Sequence, residues 1–352
     1  MKQTSLLLKQ APVSHLSAHG KRRYVIETSK EPTFADSTAS DLVDGEDLVV
    51  RRAAVDALGP YNGSVVVVDP HSGRVLTIVN QKLAFGSGFQ PCSTIKLMAA
   101  LAGMNEGIID ENTMVRIGRR TSLNLTEAIA HSNNTYFSLV GQKLGYDRII
   151  QYAHLFGLGE KAALDIPEEQ PGTLASAPPE DGIGMMTSFG EGITITPLEL
   201  ASLVSVIAND GTLYYLQYPR TPEAIAHFVP RIKRRLDVAH WIPQIKPGMM
   251  GAVEYGTARR ANFTDEDPVL GKTGTCTDTR TPTHLGWFGS FNNIRQNQLV
   301  VVVLLTGGHR VNGPVASGIA GTIYRTLDEQ SYFGKSRMIS PMALISTQAC
   351  CR

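Results

Sequence analysis

Runs of β-branched residues stand at the two ends of this chain with a helical stretch between them, and that layout constrains the fold more than any other feature. Near the start, Gly63 to Asp69 and Arg74 to Val79 flank the turn Pro70, His71, Ser72, Gly73, which reads as a β-hairpin. Near the end, Val269 to Thr275, His284 to Phe291 and Gln298 to Thr306 read as three short strands separated by turn-rich loops. The expected fold is α/β of the α+β kind: an antiparallel sheet of about five strands built from both ends of the chain, flanked by helices, with an inserted all-helical subdomain. Such a layout brings residues distant in sequence to one cleft.

The amphipathic segment Leu48 to Leu58 precedes the hairpin, and Val315 to Leu327 has the helical spacing to lie across the sheet. In the middle, Pro91 opens a helix that runs to about Glu106. Asn124 with Glu127 caps a second that ends near His131, and Thr135 to Leu144 and Tyr146 to Phe156 follow. Thr196, Pro197 and Glu199 supply an N-cap hydroxyl, a first-turn proline and a returning carboxylate for a helix to about Asn209. Residues 1–40 and 334–352 carry neither period and read as tails. The ordered domain is expected over 41–333, with its helical insert over about 90–210.

Composition narrows the function. Lys plus Arg is 33 against 32 for Asp plus Glu, a formal charge of +1, so no long-range field draws a polyanion and nucleic acid is not an expected partner. The longest fully apolar run, Leu299 to Leu305, is far short of the about twenty residues of a membrane span. Leu6, Leu7 and Leu8 are too few for a secretory signal, so neither an anchor nor an export signal is read in this chain. Cys92, Cys276, Cys350 and Cys351 form no metal-ligand spacing, and no metal or cofactor is expected.

Three short motifs carry chemistry. Ser93 and Lys96 are three apart at a helix start, so the amine can reach the hydroxyl. Lys96 can deprotonate Ser93 only when neutral, which requires a fall in its pKa from about 10.4 toward about 7, or roughly 4 to 5 kcal/mol. Burial, the helix N-terminus and a second lysine all push that way. Ser132, Asn133 and Asn134 occupy a break between two helices, where side chains can face a cleft; the other S-x-N triplets, at Ser122 and Ser290, fall at a cap and a strand end. Lys272, Thr273, Gly274 and Thr275 lie on a strand whose small residues let a ligand backbone pair with its edge, while the lysine and hydroxyls suit a carboxylate. A phosphate-loop reading of Gly271, Lys272 and Thr273 fails, because position 266 is Glu and no helix follows.

S-x-x-K, S-x-N and K-T-G-T in this order resemble the penicilloyl-serine transferases. Ser188 to Ala201 (SFGEGITITPLELA), Asn209 to Thr212 (NDGT), Gly251 to Thr257 (GAVEYGT) and the strand through Trp287 and Phe288 are similar to penicillin-binding protein transpeptidase domains, over about residues 45–330. The resemblance implies a serine acyltransferase acting on D-Ala-D-Ala peptides of peptidoglycan, a D,D-transpeptidase or D,D-carboxypeptidase, acylated by β-lactams. Its partners would be peptidoglycan stem peptides and β-lactam antibiotics, and its place the cell envelope, outside the cytoplasm. It assigns Ser93 as nucleophile, Lys96 as its base, Ser132 as proton relay, Asn134 to the substrate amide and Lys272 to the field around Ser132. Thr273, Gly274 and Thr275 would hold the substrate, with the N–H groups of Ser93 and Thr275 as oxyanion hole.

Cys92 stands where the family usually has glycine, Glu191 where it often has Gln, and the interval from Ser93 to Ser132 is short, which implies a trimmed insert. The residues before the domain are too few for a glycosyltransferase, so a lone transpeptidase domain is expected. A class A β-lactamase would use a loop glutamate for deacylation, and the candidates Glu168 and Glu169 sit in IPEEQPG rather than in that family's loop; a class D enzyme usually has a branched apolar residue where Asn134 stands. A non-catalytic β-lactam sensor is the third reading. The basic run Arg231, Lys233, Arg234, Arg235 is expected to be a solvated face, Asp265, Glu266 and Asp267 a polar loop, His131 a surface histidine and Trp287 core. If the N–H groups of Ser93 and Thr275 share one oxyanion, then Cys92 and Cys276 are near neighbours. They are expected to be close and reduced, with oxidation slowing acylation.

Overall fold

The computed structural model describes residues 14–15, 23–24, 29–262, 264, 268–278, 282–292 and 297–334. The Asp265–Asp267 loop, Cys350, Cys351 and nearly all of the C-terminal tail lie outside the described residues, as does most of 1–28.

Five strands form one antiparallel sheet: β1 (Gly63–Val68), β2 (Val75–Val79), β3 (Val269–Asp278), β4 (Thr283–Asn292) and β5 (Val300–Gly307), in the order β2-β1-β5-β4-β3. The two ends of the chain meet at β1 and β5, where Val68 pairs with Val300 and Val65 with Val303. β3 is an edge strand, and among the described residues no strand pairs with its outer side.

The valine-rich strands are buried on both faces, which is why they read as continuous apolar runs rather than as alternating ones. Period 2 sends Val66, Val68, Val300 and Val302 into one core and Val65, Val67, Val301 and Val303 into the other. The second core is covered by α1 (Leu48–Leu58) and, through Ile319 and Ile323, by the long helix Gly313–Glu329. The first is covered by the helical insert.

That insert contains α2 (Lys96–Asn105), α3 (Leu125–Ala130), α4 (Asn134–Leu144), α5 (Tyr146–Leu155), α6 (Ile183–Phe189) and α7 (Pro197–Ala208). The expected cap of α7 is present: Glu199 N donates to Thr196 Oγ1 at 3.1 Å and Thr196 N to Glu199 Oε2 at 2.6 Å. α7 is buried all round, as a helix apolar on every face must be. Four described helices escape the sequence reading: the short turns Gln81–Ala84 and Pro222–Ala226, α6, and α8 (Ile242–Glu254), the last because Pro247 and Gly248 stand inside it.

The segment 29–40, which composition alone places in a tail, packs across one end of the sheet. Thr33 is buried, its carbonyl accepts from Asn62 N at 2.9 Å and its Oγ1 from Gly308 N at 2.9 Å. Arg51 of α1 then reaches Asp41 at 2.7 Å, Glu46 at 3.3 Å and the Ile78 carbonyl at 2.8 Å. These partners satisfy a guanidinium that would be costly to bury alone.

Candidate active site

The chain enters the site along Gln90, whose carbonyl accepts from the indole N–H of Trp287 on β4 at 2.9 Å. Trp287 is therefore core, as expected, but core that holds the segment leading into Ser93. Cys92 follows with φ +51°, in the left-handed region, and the next residues turn as a short 3-10 helix, Cys92–Ile95, rather than as the expected first α-turn. The difference matters, because side chains three apart eclipse in a 3-10 helix. Ser93 sits directly over Lys96, with Oγ 2.6 Å from Nζ.

Ser132 lies after the end of α3, also left-handed at φ +54°. Asn133 caps α4 by accepting from Tyr136 N at 2.8 Å, which makes Asn134 the first helical residue. Left-handed backbone costs a side-chain-bearing residue about 1–2 kcal/mol, and two of the five such residues described flank or form this site.

Lys96 Nζ has four neighbours: Ser93 Oγ, Asn134 Oδ1 at 2.7 Å, the Ser188 carbonyl at 2.8 Å and Ser132 Oγ at 3.4 Å. Burial, and then the positive charge of Lys272, push its pKa down to about 6. The rings of Phe137 and Phe189, 5.9 and 5.6 Å from Nζ, favour a cation, yet the desolvation to which they also contribute prevails. A neutral amine has two N–H donors and one lone pair. Asn134 Oδ1 and the Ser188 carbonyl can only accept, so they take both N–H groups and leave the lone pair facing the Ser93 hydroxyl.

Lys272 comes from β3 and is fully buried, with its pKa pushed down by burial to about 7. Its Nζ lies 2.8 Å from Ser132 Oγ and donates to the Thr273 carbonyl at 2.9 Å. Ser93, Lys96, Ser132, Lys272 and Asn134 thus form one continuous polar chain. Thr273 Oγ1 contacts Thr257 Oγ1 at 2.7 Å, while Thr275 is exposed and its hydroxyl accepts from Gly313 N at 2.7 Å. Gly274 is needed for close approach: a Cβ there would lie 3.0 Å from the Pro91 carbonyl and 3.2 Å from Thr94 Cγ2.

Cys92 and Cys276 correct one expectation and bear out its premise. Their Cα atoms are 5.5 Å apart, so the geometric argument holds, but the two are joined as a disulfide rather than reduced. Left-handed Cys92 turns its side chain toward β3, where Cys276 meets it. The polar chain around Ser93 stands intact beside the bridge.

Arg234 and Lys233 are not a free basic face: both bind Glu160, Arg234 through two contacts of 2.7 Å and Lys233 through one of 2.9 Å. His131 is exposed and pairs with Glu127 at 3.3 Å. Glu168 is exposed, whereas Glu169 is buried and accepts from Ala162 N at 2.8 Å and Ala163 N at 2.9 Å, a structural carboxylate. Among the described residues no three His, Cys, Asp or Glu converge as a metal site, and no helix is long and apolar enough to cross a membrane. The sequence reading missed the Ser188 carbonyl and the Thr257 hydroxyl; both lie in stretches it quoted, but a backbone acceptor has no side-chain signature and Thr257 lies outside the three short motifs.

Residues 63–325 match the family described as penicillin binding protein transpeptidase domain. Stage V sporulation protein D of Bacillus subtilis is 27% identical over 312 residues, covering 76% of this chain and 48% of that protein. Peptidoglycan D,D-transpeptidase MrdA of Acinetobacter baumannii is 25% identical over 311 residues, covering 70% and 45%. The chain thus spans about half the length of these curated relatives. Among solved structures, the D,D-transpeptidase domain of a peptidoglycan glycosyltransferase from Eggerthella lenta superposes with a TM-score of 0.68 at 20% identity, over 91% of this chain and 95% of that one.

Proposed function

The chain belongs to the penicillin-binding protein transpeptidase domain family, and on that ground we propose that it is a serine D,D-acyltransferase acting on peptidoglycan stem peptides. One observation carries the reading: Lys96 Nζ lies 2.6 Å from Ser93 Oγ while Asn134 Oδ1 and the Ser188 carbonyl accept from it, so that the neutral amine presents its lone pair to the Ser93 hydroxyl. A buried amine with a pKa near 6 is matched to work as a general base near neutral pH.

The proton of Ser93 passes to Lys96 as Oγ attacks the carbonyl carbon between the two terminal D-alanines. The resulting oxyanion takes the N–H groups of Ser93 and Thr275, each donor of this kind being worth about 10² to 10³ in rate. Collapse breaks the peptide bond. The leaving amine takes a proton from Ser132, which Lys272 or the newly charged Lys96 replaces through the contacts at 2.8 and 3.4 Å. Asn134, exposed at the rim, holds the substrate amide, and Lys272, Thr273 and Thr275 hold the terminal carboxylate beside Gly274. An acceptor amine or water then attacks the ester and returns Ser93. β-Lactams enter by the same attack.

The work site proposed is the cell envelope, outside the cytoplasm, where a disulfide such as Cys92–Cys276 persists. Intact-protein mass spectrometry after mixing with penicillin tests the function. A covalent adduct on Ser93 lasting many minutes is expected. Rapid discharge with hydrolysis of excess penicillin would make the protein a β-lactamase, and an unlabelled protein would defeat the acyltransferase reading.

A further inference from the structure

The disulfide stands at an unusual place: Cys92 directly precedes the nucleophile and Cys276 directly follows Thr275, so the bond spans the two residues whose N–H groups form the proposed oxyanion hole. Three observations give it work there. First, β3 is an edge strand, hydrogen-bonded to β4 on one side and to no strand on the other among the described residues. Its spacing from the nucleophile turn is not fixed by the sheet. Second, the packing of Gly274 against the Pro91 carbonyl and Thr94 resists compression of the gap but not its widening, and the Trp287 hydrogen bond to Gln90 ties the turn to β4, not to β3. The disulfide alone joins the turn covalently to β3. Third, Cys92 occupies a left-handed backbone position that glycine would take freely, so the side chain is kept there against conformational preference.

We infer that the Cys92–Cys276 bridge is a positioning crosslink that sets the separation of the Ser93 and Thr275 N–H groups, and with it the rate of acylation rather than the affinity for substrate. This rests on the proposed acyltransferase activity. An oxyanion exists only after attack, so a loosened pair of donors raises the barrier while leaving the initial complex nearly unchanged.

The experiment compares oxidised and reduced protein in stopped-flow acylation with a fluorescent penicillin, resolving the acylation constant from the dissociation constant of the first complex. Dithiothreitol supplies two electrons and two protons, giving two thiols and its own cyclic disulfide; it is removed before mixing, and alkylation with peptide mapping verifies Cys92 and Cys276. The expected result is an acylation constant about tenfold lower, a dissociation constant within about twofold, and recovery on reoxidation. An unchanged acylation constant, or equal losses in both constants, overturns the inference. If reduction melts the protein, the variant Cys92→Gly/Cys276→Ala decides, since glycine accepts the left-handed backbone. The same tenfold split is expected, and wild-type acylation in that variant overturns the inference. Failure of the oxidised wild type to acylate at all defeats the acyltransferase reading instead, a distinct outcome.

Discussion

Lys272 Nζ lies 2.8 Å from Ser132 Oγ across a sequence separation of 140 residues, whereas Lys96 Nζ stands 3.4 Å from the same oxygen and 2.6 Å from Ser93 Oγ. In the proposed mechanism the two lysines therefore divide their tasks, Lys96 on the Ser93 hydroxyl and Lys272 on that of Ser132. Lys96→Ala is expected to lower acylation by more than about 10³, and Lys272→Ala by about 10 to 10², part of it in binding. Stopped-flow measurement of both variants checks this, and near-normal acylation in Lys96→Ala would remove that residue from its role.

The pH profile follows from the same pair. Lys96 is neutral, and so basic, only above about 6, while Lys272 keeps its charge only below about 7. The second-order acylation constant should rise through pH 6 and fall above pH 7, a narrow bell. In the complex, a substrate carboxylate beside Lys272 favours its cation, so the first-order constant should hold to higher pH. Lys272→Arg, whose charge does not titrate, should be slower throughout but lack the falling limb. A profile without the rise near 6 would exclude Lys96 as the base.

Gly274→Ala tests the close approach of β3 to the nucleophile turn. The added methyl would press on the Pro91 carbonyl, on Trp287 Cβ at 3.1 Å and on Thr94, costing about 1–3 kcal/mol of stability and slowing acylation by about tenfold. Gly118→Ala, where the nearest atom is 3.9 Å away, serves as the control. Thermal melts and acylation rates for both variants are the measurement, and a Gly274→Ala protein that behaves like the control would refute the steric account.

Glu169→Gln separates structure from turnover. The amide offers one acceptor oxygen where the carboxylate offers two to Ala162 and Ala163, so a stability loss of about 1–3 kcal/mol is expected. The lifetime of the penicilloyl adduct should not change. A longer lifetime in Glu169→Gln would give this carboxylate a part in deacylation.

Much of this arrangement is legible in the residues alone. β1, β2 and β5 announce themselves because double burial leaves them rich in β-branched residues, β3 and β4 by short extended runs between turn-rich loops, and Ser93, Lys96 and Lys272 by their spacings within known motifs. Strand order is not legible, since β1 and β5 are equally valine-rich on both faces. The 3-10 turn at Ser93 is hidden for another reason: the left-handed Cys92 that starts it is held from β3, far along the chain. α6 and α8 hide behind Gly184, Pro247 and Gly248, whose local preferences tertiary packing overrides. The spacing argument reached the proximity of Cys92 and Cys276 but not their bond, because proximity permits oxidation without requiring it.

A sheet closed by the last strands of the domain also orders events in time. On a ribosome adding roughly 5 to 20 residues per second, the partner of Cys92 is made 184 residues later, about 10 to 40 s after it. Until then the nascent chain holds Ser93 and Lys96 without Lys272, Thr275 or the strand that faces them. A polypeptide cut short before β3 carries Ser93 and Lys96 but not the far wall of the proposed site, so on the proposed mechanism it stays inert until synthesis has passed that wall.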